Sequence, residues 1–314
     1  MTSQKIAFLF PGQGSQYLGM GRDLFDHSSE VKHIFEQVDE ICQMPISKLC
    51  FEGPLEKLTL TVHLQPAITA VNLACLAILI EEGISPDFSA GHSLGEYAAL
   101  AAGGVLTTES ALRLVNKRGE LMHRESVNKP GAMAAILGLD IEIVQALVEE
   151  AAQGDIVAVA NHNTAEQIVI TGQKEALSRA VELAQEKGGK AIPLKVSGAW
   201  HCRLMEQAVD EFRQFMEDIP FSAPESTVFF NATAQTETSP KKMKDIMAQQ
   251  LISPVRWYDI IRKMMENGVD TFVEVGPKKV LTGLLKKIFP KDHGAKIYQV
   301  EDGQSIERFL EEKG

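Results

Sequence analysis

The pattern Gly-His-Ser-Leu-Gly at residues 91–95 restricts the fold of this chain more than any other stretch. Small and apolar residues precede it, and an alanine-rich run with helical character follows it. A serine at the centre of G-x-S-x-G occupies a strained turn from a strand into a helix, and the two glycines let both elements pass without a Cβ clash. We therefore predict a nucleophile at Ser93, beside the N-terminal N–H groups of the following helix. The pattern by itself leaves open a tight turn in which Ser93 only caps that helix.

Short β-prone runs alternate with amphipathic helical segments along most of the chain. The β-prone runs are residues 5–10, 87–93, 227–234, 270–277 and 296–302. Such alternation is typical of an α/β protein with a doubly wound, mostly parallel sheet. Ligands bind these sheets beyond the carboxyl ends of the strands, so the loops that contain Gln13 and Ser93 should lie at one site.

Residues 131–198 follow a different order. Their pattern predicts strand, helix, strand, strand, helix and strand, which is the ferredoxin-like arrangement. Turn-forming segments at 128–131 and 197–200 bracket this stretch. We therefore predict a large α/β core formed by residues 1–127 and 199–314, with residues 128–198 inserted as a small domain. A cleft between the two parts would hold the ligand.

Composition argues against several classes of protein. A net charge of −11 over 314 residues is unfavourable for a broad nucleic-acid-binding surface. The four cysteines lack disulfide or zinc-site spacing and indicate reduced thiols in a cytoplasmic protein. The apolar run 66–80 is interrupted by Thr69 and Asn72, which favours a buried helix over a membrane span. The apolar stretch before Pro11 is too short for a signal peptide.

A catalytic serine needs a base, and His201 is the best placed of the eight histidines. It follows the predicted insert, where the chain returns to the large core at the cleft. A structural histidine is the alternative interpretation. Cys202 could suggest a cysteine nucleophile, but it lacks an elbow, and a neighbouring histidine in the sequence is not aimed at it.

Residues 107–126 predict a helix with one arginine on its buried face. Stepping by three or four along the apolar stripe, through positions 111, 115, 118 and 122, reaches Arg118. Burying a guanidinium without a partner costs several kcal/mol, and a carboxylate satisfies it best through a two-pronged contact. The residues allow a structural ion pair with an acidic core residue or a clamp for a substrate carboxylate.

Eight segments, in order, resemble motifs of the malonyl-CoA:acyl carrier protein transacylase family. They are FLFPGQGSQ, GHSLGEYAAL, KRGELM, GAMAAILGL, IVITG, SGAWHCRLM, SPVRW and EVGPKKVLTGL. The resemblance spans almost the full chain and implies a hydrolase-like α/β core with a ferredoxin-like insert. It implies an acyltransferase that moves malonyl from malonyl-CoA to the phosphopantetheine thiol of acyl carrier protein through a malonyl-serine intermediate. It implies ping-pong kinetics and no metal or redox cofactor, and we expect a cytoplasmic monomer that binds neither nucleic acid nor membrane.

The resemblance also implies roles for individual residues. Ser93 is the nucleophile and His201 its base. Arg118 holds the malonyl carboxylate. The backbone N–H groups of Gln13 and Leu94 form the oxyanion hole.

Two further roles come from the same resemblance. Gln250 matches the residue that helps to position the histidine through its main chain. Asn161 matches an asparagine of the small domain at the cleft, although Asn163 lies close enough to be confused with it. The family orients its histidine with backbone carbonyls, and no Asp or Glu is assigned as a third catalytic residue.

Other functions remain open at this point. An esterase or thioesterase of the α/β-hydrolase kind would share the elbow. A stand-alone polyketide-synthase acyltransferase could use a different extender unit, and a non-catalytic module could bind acyl carrier protein. Because acyl carrier proteins are acidic, basic residues near the insert are candidates for docking; they are Lys117, Arg124, Lys129, Lys187 and Lys190.

Overall fold

The computed structural model describes residues 4–313, which contain nine β-strands and fourteen α-helices. The strands are β1 (Ile6–Phe10), β2 (Phe88–Gly91), β3 (Ala132–Leu137), β4 (Val157–Thr164), β5 (Gln167–Gly172), β6 (Lys190–Pro193), β7 (Thr227–Val228), β8 (Thr271–Val275) and β9 (Lys296–Val300). The helices are α1 (Arg22–His27), α2 (Ser29–Cys42), α3 (Ile46–Glu52), α4 (Leu55–Leu58), α5 (Thr61–Glu81), α6 (Glu96–Ala102), α7 (Thr108–Asn128), α8 (Ile141–Ala152), α9 (Lys174–Glu186), α10 (Glu206–Glu217), α11 (Pro240–Gln249), α12 (Trp257–Glu266), α13 (Val280–Ile288) and α14 (Gly303–Lys313).

Five parallel strands form the larger sheet, in the order β7-β2-β1-β8-β9. The side chains of β1 alternate between two apolar layers. Phe8 and Phe10 pack into one, and Ala7 and Leu9 pack into the other. A parallel sheet covered by helices on both faces needs strands that are apolar throughout, and every residue of β1 is buried. The predicted doubly wound α/β core is therefore confirmed.

Four antiparallel strands form the second sheet, in the order β4-β5-β3-β6. Helices α8 and α9 pack against this sheet around an apolar core of its own. The strand order is that of a ferredoxin-like fold, which confirms the predicted strand and helix pattern of the insert. The division into domains 1–127 with 199–314 and 128–198 stays a prediction; the strands of the two sheets come from these two parts of the chain.

One predicted strand is much shorter than expected. The run 227–234 is a strand only at Thr227–Val228, beside β2. After Phe229 the chain turns, because the N–H of Ala234 bonds to the carbonyl of Phe230 at 2.8 Å. The turn directs the buried Asn231 toward the Gly91–Gly95 turn, so a local β-prone pattern yields to a long-range contact.

Helix α5 is the central buried helix. By length and composition it could cross a membrane, but 78% of its most apolar window is buried inside the fold. It packs on α7 so closely that a Cβ on Gly119 would lie 3.1 Å from the carbonyl oxygen of Thr61. The absence of a side chain at Gly119 therefore permits the close approach of the two helices. The close approach places Gln65 of α5 beside Arg118 of α7.

Candidate active site

The turn around Ser93 has the geometry that its glycines predict. A Cβ on Gly91 would lie 1.9 Å from the carbonyl carbon of Gly95, and one on Gly95 would lie 2.1 Å from the carbonyl oxygen of Phe10. No side chain fits at either position. Ser93 has a φ of 54°, in the left-handed region that non-glycine residues rarely adopt. The strand, the strained serine and the helix α6 together form a nucleophile elbow.

Asn231 holds this strained turn from the outside. Its Oδ1 accepts a hydrogen bond of 2.7 Å from the N–H of Ser93, and its Nδ2 donates one of 2.7 Å to the carbonyl of Gly91. One buried amide thereby satisfies backbone groups on both sides of the turn. Sequence reasoning did not find Asn231, although a polar residue directly after the apolar run 228–230 is a usable signal of a buried hydrogen bond.

Ser93 and His201 come together across 108 positions of sequence. Ser93 Oγ lies 2.8 Å from His201 Nε2. The carbonyl oxygens of Gln250 and Ser253 lie 3.0 and 3.1 Å from His201 Nδ1. Because both of these oxygens can only accept, Nδ1 carries the proton and Nε2 is free to accept from the serine hydroxyl. The predicted main-chain contact of Gln250 is present, and Ser253 supplies a second one that sequence reasoning missed.

His201 is buried and neutral at ordinary pH. Desolvation and the nearby positive charge of Arg118 lower the pKa of His201 to about 3. His201 itself has a φ of 60°, so a second strained residue faces the first. A neutral imidazole fixed in this tautomer can take the proton of Ser93 Oγ.

Arg118 lies on the buried face of α7, as the helical stripe predicts, and its side chain is almost fully buried. Its Nη2 donates to Ser93 Oγ at 3.2 Å, and its other donors reach the side-chain carbonyls of Gln65 at 2.7 Å and Gln250 at 3.2 Å. Within residues 4–313, no carboxylate lies within 4.0 Å of this guanidinium to form an ion pair. The charge is oriented by neutral groups beside the nucleophile, so the structural ion pair has no partner in this part of the chain.

Leu94 lies within the elbow, and Gln13 follows a glycine that packs against it. Leu94 belongs to the short 3-10 turn Ser93–Gly95 that leads into α6. The loop before Gln13 touches the elbow, since a Cβ on Gly12 would lie 2.3 Å from the carbonyl oxygen of His92. The loop that contains Gln13 therefore packs against the elbow that contains Leu94, and the N–H groups of these two residues as an oxyanion hole stay a prediction.

The two asparagines of β4 have different positions. Asn161 lies in a backbone bridge to Val255, in which the N–H of Val255 bonds to the carbonyl of Ala160 at 2.8 Å. Asn163 uses its side chain, whose Oδ1 lies 2.8 Å from His92 Nε2. Both contacts join the insert to the large core next to the site. The role of Asn161 toward substrate stays a prediction, and Asn163 is the one whose side chain reaches the elbow.

Within residues 4–313, no three His, Cys, Asp or Glu residues are grouped so that they could hold a metal ion. The reactive groups that the structure brings together are the hydroxyl of Ser93, the neutral imidazole of His201 and the buried guanidinium of Arg118.

Comparison with known proteins finds relatives that match almost the whole chain. The family described as "Acyl transferase domain" matches residues 7–305. A protein of Bacillus subtilis (strain 168) named malonyl CoA-acyl carrier protein transacylase is 43% identical over 305 residues, which cover 96% of this chain and 95% of that protein. This chain belongs to the malonyl CoA-acyl carrier protein transacylase family.

Solved structures of this transacylase family have the same fold. An acyl carrier protein S-malonyltransferase of Vibrio cholerae superposes with a TM-score of 0.93 at 40% identity, covering 98% of this chain and all of the other. A malonyl-transacylase solved in complex with its type II polyketide acyl carrier protein also gives a TM-score of 0.93, at 38% identity and 98% coverage of this chain. The hydrolase-like core with a ferredoxin-like insert is thus the fold of this transacylase family.

Proposed function

We propose that the protein transfers a malonyl group from malonyl-CoA to the phosphopantetheine thiol of acyl carrier protein, with Ser93 as the nucleophile. The observation that carries this proposal is the hydrogen bond between Ser93 Oγ and His201 Nε2 beside the guanidinium of Arg118, which has no carboxylate partner among residues 4–313. An esterase needs the first feature only. A transferase specific for malonyl groups needs both, since the substrate brings the carboxylate that the guanidinium lacks.

In the first half-reaction, Ser93 Oγ attacks the thioester carbonyl carbon while its proton passes to His201 Nε2. The carbonyls of Gln250 and Ser253 hold Nδ1–H and stabilise the imidazolium that forms. The N–H groups of Gln13 and Leu94 are the donors for the oxyanion, each contributing about 3–4 kcal/mol in sites of this kind. The C–S bond then breaks, coenzyme A leaves as its thiol with the proton from His201, and a malonyl ester remains on the serine.

In the second half-reaction, the phosphopantetheine thiol gives its proton to His201 and its sulfur attacks the ester carbonyl. The C–O bond to Ser93 breaks, and the serine oxygen recovers the proton from His201 Nε2. The two substrates use one cleft in turn, which predicts ping-pong kinetics.

The structure reduces the number of basic residues that are available for contact with acyl carrier protein. Glu211 lies 2.7 Å from Lys117 Nζ and 2.6 Å from Arg124 Nη1, so those two charges are partly neutralised. Lys187 and Lys190 are exposed and form no ion pair within residues 4–313. We therefore favour these two lysines of the insert as the contact with an acidic carrier protein.

Several properties of the protein belong to the same proposal. We propose a cytoplasmic monomer that needs no metal or redox cofactor and binds neither nucleic acid nor membrane. Free thiols at all four cysteines and a net charge of −11 support the reducing compartment and the absence of nucleic-acid binding. Fatty-acid and polyketide synthesis both supply carriers for this chemistry.

Intact mass spectrometry after mixing with malonyl-CoA tests the function. A malonyl adduct that disappears on adding acyl carrier protein, with malonyl appearing on the carrier, is the expected result. Rapid release of free malonate without transfer would indicate a thioesterase. Absence of any reaction would indicate a carrier-binding module, and methylmalonyl-CoA in parallel shows whether a different extender unit is preferred.

A further inference from the structure

A fully buried carboxylate, Glu96, lies behind the catalytic residues and takes no part in the steps above. It is the first residue of α6, directly after the elbow. Its Oε1 accepts from the backbone N–H of Asn231 at 3.1 Å, and its Oε2 accepts from Nε2 of Gln250 at 2.7 Å. Glu96 thereby joins the residue that clamps the elbow to the residue that holds His201.

The side-chain amide of Gln250 can adopt only one orientation between its neighbours. Its Nε2 faces two acceptors, the carboxylate of Glu96 and the carbonyl oxygen of Ser93, whereas its Oε1 faces a donor, Nε of Arg118. In the flipped amide, the oxygen of Gln250 would face the oxygens of Glu96 and Ser93, and its NH₂ group would face the N–H of Arg118. The carboxylate is thus the group that sets this amide, and the amide in turn aims the guanidinium.

Glu96 is well suited to orient Arg118 without neutralising it. A carboxylate in direct contact with the guanidinium would occupy the donors that a substrate carboxylate needs. The Gln250 amide lies between the two charges, so the negative charge acts on Arg118 through a hydrogen-bond chain. Nη2 remains directed at Ser93 Oγ, where an acyl group would be attached.

We propose that Glu96 is a positioning residue for both halves of the site: through Asn231 it holds the elbow, and through Gln250 it holds His201 and aims Arg118. It touches neither substrate nor the reacting atoms. The part that concerns malonyl selectivity rests on the proposed function, whereas the part that concerns Ser93 reactivity does not.

Glu96→Gln tests this role because it keeps the shape and replaces one acceptor oxygen with a donor. That NH₂ group must face either the N–H of Asn231 or Nε2 of Gln250, so one of the two connections is lost. Glu274→Gln is the matched control. Glu274 is equally buried, accepts from the N–H groups of Leu281 and Thr282, and lies outside the site; burial raises the pKa of both Glu96 and Glu274 to about 7.

Two measurements at about pH 8, where both carboxyls are ionised, give the outcome. The first is the rate at which a fluorophosphonate labels Ser93, which needs no malonyl transfer. The second is the ratio of kcat/KM for malonyl-CoA to that for acetyl-CoA. We expect Glu96→Gln to lower the labelling rate and the ratio each by at least about tenfold, while Glu274→Gln leaves both unchanged.

Equal values of labelling rate and ratio in Glu96→Gln and Glu274→Gln overturn the proposal and make Glu96 a structural carboxylate. If Glu96→Gln does not fold, Glu96→Asp keeps the charge but is too short to reach both partners. Its labelling rate should still fall, and a wild-type rate with a wild-type ratio overturns the proposal as well. A wild-type protein that labels with the fluorophosphonate but never accepts malonyl refutes the proposed function and not the positioning of Ser93.

Discussion

Replacing Arg118 with alanine should lower kcat/KM for malonyl-CoA far more than kcat/KM for acetyl-CoA. In the structure the guanidinium is buried, has three neutral hydrogen-bond partners and points one donor at Ser93 Oγ. A malonyl group attached there would bring its carboxylate to this charge, and an acetyl group has none. Removing one partner of a buried charge pair costs about 2–5 kcal/mol, which is a factor of about thirty to several thousand in kcat/KM.

The value of kcat/KM for acetyl-CoA should rise or stay nearly the same in Arg118→Ala. The charge of Arg118 lowers the pKa of His201, so its removal makes that histidine a stronger base. The Arg118→Ala protein should also unfold more easily, because the side-chain carbonyls of Gln65 and Gln250 lose their donor. Each unsatisfied group lowers the free energy of unfolding by about 1–3 kcal/mol. That loss affects both substrates equally and cancels in the ratio of their specificity constants.

The assay is kcat/KM for malonyl-CoA and for acetyl-CoA, measured with wild type and Arg118→Ala at the same salt concentration. Arg113→Ala is the control on the same helix, since Arg113 is exposed and lies 3.9 Å from Glu109. The control should leave the ratio unchanged. If Arg118→Ala lowered both specificity constants by the same factor, Arg118 would be a structural residue, and the inferred carboxylate clamp would be refuted.

Four further predictions follow from the same geometry. Ser93→Ala should abolish the malonyl adduct and lower transfer by at least about a thousandfold; an adduct on the mutant, seen by intact mass, would place the nucleophile elsewhere. Asn231→Ala leaves the N–H of Ser93 and the carbonyl of Gly91 unpaired, so chemical denaturation should show a loss of roughly 2 kcal/mol or more; an unchanged midpoint would contradict the clamp. Because burial raises the pKa of Glu96 to about 7, the pKa of His201 is tested in Glu96→Gln, where residue 96 does not titrate; since the pKa of His201 is lowered to about 3, kcat/KM of that variant should stay level as pH falls from about 7 to about 5, and a loss with a midpoint near the ordinary histidine pKa of 6.5 would contradict this. Charge reversal at Lys187 and Lys190 should raise KM for acyl carrier protein at low salt but not KM for malonyl-CoA, whereas the same change at the exposed Lys241 should affect neither; equal effects on both substrates would refute the docking site.

The sequence by itself determined the features that depend on short-range patterns. Glycines two residues before and after Ser93 are needed because backbone atoms occupy the space of a Cβ. The five-residue motif at positions 91–95 is enough to predict this requirement. The 3.6-residue period of α7 placed Arg118 on the buried face before any partner was known. Alternating strands and helices predicted the layers. The resemblance of eight segments singled out Ser93, His201, Arg118 and Gln250, which the structure brings within hydrogen-bond distance of one another.

Only the tertiary structure decided which groups satisfy the buried charges. Arg118 contacts Gln65, Ser93 and Gln250, which come from three distant segments, and Glu96 reaches Gln250 and Asn231 across more than a hundred positions. The shortened strand at Thr227–Val228 has the same origin, because the chain leaves the sheet where Asn231 bonds to the elbow. Hydrogen-bond partners depend on distances and directions that exist only after the helices pack on the sheet. The periodicity of a local segment of sequence therefore cannot predict them.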